Sequence, residues 1–256
     1  RVAATYPPRV SWDDVKSSLA GLVGGDPEGF VFPRNTTEAM NFVANGLDLP
    51  DGAEVLSTDH EHIGGIEPWK LVTRRRVLPL RTVSLPAPAA SSEELLEAVW
   101  SGVTDRTRVV CVSHITFTTG TILPITELSA RCAERDIVLA VDGAHPPGMI
   151  QMDLNTLGGD FYASSPHKWL LAPQGTGLLY IAEPWREKLW PTLASGGWDD
   201  MTLGAHRFNH MGTMDESRIA GLLAATEFFH ALGMQRVEGR VRYLRDMLED
   251  GLMHIP

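Results

Sequence analysis

The stretch Ile137-Val138-Leu139-Ala140-Val141-Asp142-Gly143-Ala144-His145 decides the fold. Five apolar residues leading straight into a carboxylate read as a buried strand with Asp142 at its C-terminal end. That end of the strand is where open α/β sheets bind their ligands. On this segment alone a second reading stands beside it, an Asp-Gly turn in which the side chain only caps the backbone.

Working outward, short runs rich in Val, Ile and Leu alternate with amphipathic stretches, the pattern of a mainly parallel sheet covered by helices. Strands are expected at Glu54–Ser57, Val77–Leu80, Arg108–Ser113, Ile137–Val141, Phe161–Ala163 and Gly177–Ile181. Two helix starts carry capping-box signatures, Asn35 with Glu38 and Ser91 with Glu94. Further helices are expected from Ile125 to Arg135 and from Glu216 to Ala231, where Ile219, Leu222, Leu223, Thr226 and Phe229 recur at helical spacing. Pro86-Ala87-Pro88-Ala89-Ala90 is a stiff surface connection, because strand and helix alternation resumes on both sides of it. There is no internal repeat.

The 256 residues are 43% hydrophobic and 21% charged, an ordinary globular composition. A net charge of -10 argues against nonspecific binding to nucleic acid or to an anionic membrane. No apolar run approaches the roughly 20 residues that cross a bilayer, and no leader pattern is read at the start. Cys111 and Cys132 have neither zinc-site nor disulfide spacing, read as packing residues, and fit a reducing cytoplasm. The chain opens on Arg1, and Val237, Val241, Leu244, Leu248 and Leu252 form an apolar stripe that runs out near Pro256. The expectation is a fragment cut at both ends: residues 1–232 a large domain, and 233–256 the first helix of a truncated small domain.

The chemistry concentrates in a second stretch, Asp160-Phe161-Tyr162-Ala163-Ser164-Ser165-Pro166-His167-Lys168-Trp169. Lys168 follows a short strand and precedes the turn Gln174-Gly175-Thr176-Gly177, a poor place for a merely solvated lysine. Low polarity there lowers a lysine's pKa and leaves a neutral amine able to attack a carbonyl. A lysine for a Schiff base and an aspartate for a protonated ring nitrogen are the two protein groups that pyridoxal phosphate most requires. A phosphate cradle is available where Phe30-Val31-Phe32-Pro33-Arg34 turns into Asn35-Thr36-Thr37-Glu38, since free N–H groups and hydroxyls gather at a helix N-terminus. Read alone, the same threonines are ordinary caps. In Asp59-His60-Glu61-His62 an imidazole suits stacking on a pyridine ring. The segment also reads as an exposed polar loop, or as the start of a metal site that lacks further ligands.

Asp-Gly-Ala-His, Asp-Phe-Tyr, Ser-x-His-Lys-Trp and Gly-Thr-Gly-x-x-Tyr, in this order, resemble the class V aminotransferase superfamily of fold type I pyridoxal-phosphate enzymes. His-Lys-Trp-Leu with Ala-Pro, then Gly-Gly-Trp and Arg-Phe-x-x-x-Gly-Thr, are most similar to isopenicillin N epimerase-like proteins. Cysteine desulfurase-like proteins and selenocysteine lyases are close relatives. The likeness runs from about Phe30 to about Ala231.

The resemblance implies a three-layer α/β/α large domain around a mainly parallel seven-stranded sheet. It implies an internal aldimine on Lys168, Asp142 on the ring nitrogen, His145 near the ring hydroxyl, and His62 stacked on the ring. Thr36, Thr37, Ser165 and His167 would hold the phosphate, and Thr213 would reach the phosphate of a neighbouring subunit in a homodimer. His114 stands where many relatives carry Asn; it is a candidate contact to the cofactor or the substrate, or a core histidine. No metal is expected. The substrate class is an amino acid or small peptide altered at Cα, by epimerisation or C–S lysis, with transamination as the alternative. From other classes, a noncatalytic dimerisation or binding domain and a metal hydrolase on Asp59, His60 and His62 compete with this reading.

Overall fold

A computed structural model describes residues 10–255. Seven strands form one sheet: β1 (Phe30–Val31), β2 (Glu54–Thr58), β3 (Leu80–Val83), β4 (Thr107–Ser113), β5 (Val138–Asp142), β6 (Phe161–Ser164) and β7 (Leu178–Ile181). Their order is β1-β7-β6-β5-β4-β2-β3. From β6 across to β3 neighbouring strands are parallel, while β7 runs antiparallel to both β6 and β1.

Every residue of β5 is buried, because helices cover both faces of the sheet. Side chains alternate across it: Leu139 and Val141 join the core under α1 (Trp12–Val23), α4 (Ser92–Trp100), α5 (Ile125–Ala133) and α7 (Ser217–Leu232). Val138 and Ala140 face the opposite core, with α2 (Thr36–Gly46) and α3 (Ile63–Arg76). Trp69 of α3, fully buried, is the largest side chain of that second core. A short α6 (Leu154–Leu157) and a long α8 (Met234–Leu252) complete the helices, and α8 buries none of its residues.

Both expected caps form. Asn35 accepts from Glu38 N at 2.9 Å and Ser91 from Glu94 N at 3.1 Å, each satisfying an N–H that the first helical turn leaves unpaired. One expected strand moves. Val77 is left-handed (φ 55°) at the C-cap of α3, where its N–H answers Thr73 O, so β3 begins at Leu80 instead of Val77. Phe30–Val31, expected only as an apolar run, is an edge strand paired with β7.

The parallel register fixes the site. Ser113 lies beside Asp142, and Asp142 beside Ala163, so β4, β5 and β6 end on one line. The segments that follow β2, β4, β5 and β6 leave the sheet from this same edge.

Candidate active site

Asp142 is buried, with Oδ1 held by Ala144 N at 3.0 Å. Burial raises its pKa, opposed by the Ala144 hydrogen bond and by the charges of Lys168 and His62. Gly65, in the first turn of α3, makes room for it: a Cβ there would lie 2.4 Å from Asp142 Oδ2. At Gly64 a Cβ would lie 2.4 Å from Thr37 Oγ1. The paired glycines therefore let the head of α3 close over both a carboxylate and a threonine hydroxyl.

Lys168 is half-buried, and its Nζ lies 3.3 Å from His145 Nε2. Burial lowers the lysine pKa, and Asp142 opposes the shift. His145 is pushed down to about 4, by burial first and then by the charges of Lys168 and His62. Its other nitrogen, Nδ1, accepts from Trp169 Nε1 at 3.0 Å.

Ser165, three residues before Lys168, reaches the N-terminus of α2. Its Oγ accepts from Thr36 N at 3.0 Å and lies 2.8 Å from Thr36 Oγ1. Thr37 is exposed on the same helical turn. The turn entering α2 is gripped from below, where Arg218 donates to the carbonyls of Phe32, Pro33 and Gly175. Gly177 N donates to Pro33 O at 2.8 Å, and a Cβ on Gly177 would lie 2.4 Å from Asn35 N, a close approach that excludes a side chain. His167 bonds the Thr176 carbonyl at 3.0 Å, tying the lysine loop to this turn.

The remaining candidates lie around this core. His62 caps α3 by accepting from Gly64 N at 3.0 Å, and its exposed ring meets Phe117 edge-on at 5.0 Å. His114, buried at the end of β4, pairs with Tyr162 Oη at 3.0 Å, and burial pushes its pKa down to about 4. Thr213 is exposed in the turn before α7 and makes no hydrogen bond with the other candidates. His60 pairs with Asp59, which also receives Leu85 N, so the two do not converge with His62. Among the described residues no cluster of three or more His, Cys, Asp or Glu side chains is arranged to hold a metal.

One residue escaped the sequence reading. The side chain of Glu61 folds back under the strand ends, where it receives Thr58 Oγ1 and Ser113 Oγ, each at 2.6 Å. Burial, with a smaller contribution from the Asp142 charge, pushes its pKa up to about 7. The half-buried Glu61 and the buried Asp142 thus share the strand ends, and among the described residues neither is hydrogen-bonded to an arginine.

The set fits a phosphorylated pyridine. An acid stands ready for a cationic ring nitrogen, a lysine for a carbonyl, and hydroxyls at a helix N-terminus for the phosphate. Among the described residues the buried hydroxyls of Ser164 and Thr176 have no hydrogen-bond partner, a polar surplus at the same strand ends and turn.

This fold and site define the class of pyridoxal-phosphate-dependent enzymes. Residues 10–256 match the family model Aminotransferase class-V, and the chain belongs to that family. It is 36% identical over 253 residues to the isopenicillin N epimerase of Streptomyces clavuligerus, covering 93% of this chain and 63% of that protein. The crystal structure of the cysteine desulfurase CsdA (S-sulfonic acid) from Escherichia coli superposes with a TM-score of 0.83 at 25% identity, over 96% of this chain and 63% of that one. A lysine-to-alanine variant of C-DES, with glycine covalently linked to its PLP cofactor, gives 0.82 at 26% identity, over 95% and 66%. The chain therefore spans somewhat under two thirds of the curated relative's length. Among the described residues no helix is long and apolar enough to cross a membrane.

Proposed function

We propose that this chain is the cofactor-binding part of a pyridoxal-phosphate enzyme that acts at the Cα of an amino acid or small peptide, by epimerisation or C–S lysis. The observation that carries the reading is Lys168, its amine half-buried beside His145 and Asp142 at the strand ends. Transamination is the alternative from the same site. Pyridoxal phosphate, when bound, supplies an aldehyde for a lysine and a ring that accepts the electrons of a broken Cα–H bond.

In this reading Lys168 Nζ would be the nucleophile toward the cofactor's aldehyde and, when free, the base that takes the Cα proton. Asp142 carries its negative charge against a ring N–H, and that partner offsets the burial that raises its pKa in the cofactor-free chain. Thr36, Thr37, Ser165 and His167 would hold the phosphate, His62 would cover the ring, and His114 and His145 would serve its hydroxyl. Thr213, exposed and free of these contacts, reaches a neighbouring subunit in a homodimer. Residues 1–232 are the large domain and 233–256 open a second one. Two buried free thiols, Cys111 and Cys132, suit the cytoplasm, and neither serves as a sulfur acceptor because burial raises both pKa values.

The test is to add pyridoxal phosphate, record the visible spectrum, reduce with borohydride and map the modified peptide by mass. The expected result is a band at about 410–430 nm, fixed to the chain only where Lys168 is present. A label found on other lysines, or equal labelling of Lys168→Ala, overturns the assignment.

A further inference from the structure

With the His145 ring neutral, one set of protons satisfies both of its contacts. An indole Nε1 is a donor only, so Trp169, at 3.0 Å, makes His145 Nδ1 an acceptor. A neutral imidazole carries one proton, which must then sit on Nε2. Nε2–H faces Lys168 Nζ at 3.3 Å. An ammonium there would set donor against donor; a free amine offers the lone pair that the bond needs. Turning the ring over puts carbon opposite both partners, so the orientation is fixed by the same two contacts.

We propose that Trp169 is a positioning residue for Lys168: by occupying His145 Nδ1 it forces the imidazole proton onto Nε2, and so holds the lysine as a free amine. The indole does not need to touch Lys168 to do this. It follows the lysine in sequence and stands 44% exposed, with its N–H turned inward to His145. The other ionisable groups facing this corner are Asp142 at the end of β5 and His62 at the head of α3. Asp142 opposes the free amine, and His145 opposes the ammonium only while its own proton is on Nε2. Without Trp169 the tautomer is released: Nδ1 can take the proton and Nε2 then accepts from an ammonium. Trp169→Phe keeps most of the ring and removes only the N–H.

The role of the amine as nucleophile rests on the function proposed above, but its protonation state is measurable without cofactor. Competitive labelling of the cofactor-free chain with acetic anhydride across pH 6 to 11, with Lys168 followed by peptide mass, reads the amine directly. The wild type should label Lys168 as a free amine well below the pH at which the exposed Lys70 and Lys188 label. Trp169→Phe should move the Lys168 profile up by about one pH unit, about a tenfold loss of labelling at pH 7. In a His145→Gln background the same Trp169 change should do nothing further, since the group it acts through is gone. An unchanged profile in Trp169→Phe, or an equal shift with and without His145, overturns the proposal. A shifted profile in a chain that forms no borohydride-fixed adduct with pyridoxal phosphate sustains the proposal and sinks the cofactor reading instead.

Discussion

Two glutamates at opposite ends of the same strand, β2, one buried and one half-buried, behave in opposite ways. Glu54, at its first residue, receives Thr104 Oγ1 at 2.7 Å and pairs with Arg106; the Thr104 hydrogen bond leads in holding its pKa below the ordinary carboxylate value. Glu61, three residues beyond the last, receives two hydroxyls but no cation, and its pKa rises to about 7. The N-terminal edge of the sheet thus closes its polar groups within the chain. At the C-terminal edge, among the described residues, Glu61 and Asp142 have no cationic neighbour at hydrogen-bonding distance, a deficit that a cationic ligand would remove.

The sharpest way to break this comparison is Glu61→Gln in the cofactor-free chain. A carboxyl whose folded pKa lies above its unfolded value disfavours the folded state as pH rises between the two, here from about 4.5 to about 7. The amide should therefore be more stable than wild type by up to about 3 kcal/mol at pH 8, and the gain should vanish near pH 4. Urea unfolding at the two pH values reads it; a loss of stability at pH 8 would put Glu61 in the same class as Glu54. Next in size is His114→Gln. A histidine held near 4 when folded costs stability as pH falls from about 6.5, because the unfolded chain takes up the proton first. The variant should lose up to about 3 kcal/mol less than wild type between pH 7 and pH 4, measured by the same melts. Smallest is Glu54→Gln, which should cost about 1–2 kcal/mol at pH 7, the worth of hydrogen bonds to a charged acceptor. Its Arg106 partner is 68% exposed and simply returns to water. The loss should shrink as pH falls below the ordinary carboxylate value of 4.5 and the wild-type carboxyl in turn gains its proton, and pyridoxal phosphate binding by this variant should be unaltered.

The parts legible in the sequence were those whose signal is local. Asp142 announces itself as a charge ending an apolar run, and Asn35 and Ser91 as caps ahead of helices. Lys168 stands out because a short strand and a glycine turn bracket it. Glu61 gave no such sign. It sits in Asp59-His60-Glu61-His62, which reads as a polar loop, and its burial depends on Ser113, 52 residues away. Gly65 is equally silent, because its value lies in the carboxylate of another element that it admits. Val77 deceived through its β-branched side chain, although the helix before it ends in a left-handed cap there. The two residues of β1 read as an apolar run, since only pairing with β7 makes them a strand.

That last pairing also bears on how the molecule is made. β1 meets a strand that begins at Leu178, Phe32 N donates to Asn209, and the turn that leads into α2 is gripped by Arg218. On a ribosome adding about 10 residues per second, roughly 15 s separate β1 from its partner strand. The parallel strands β2 to β5 can assemble in that interval, but the turn at the head of α2 waits for the last of its clasps. The head of α2 is thus a late product of synthesis, and a ligand that binds there acts on a chain whose central sheet already exists.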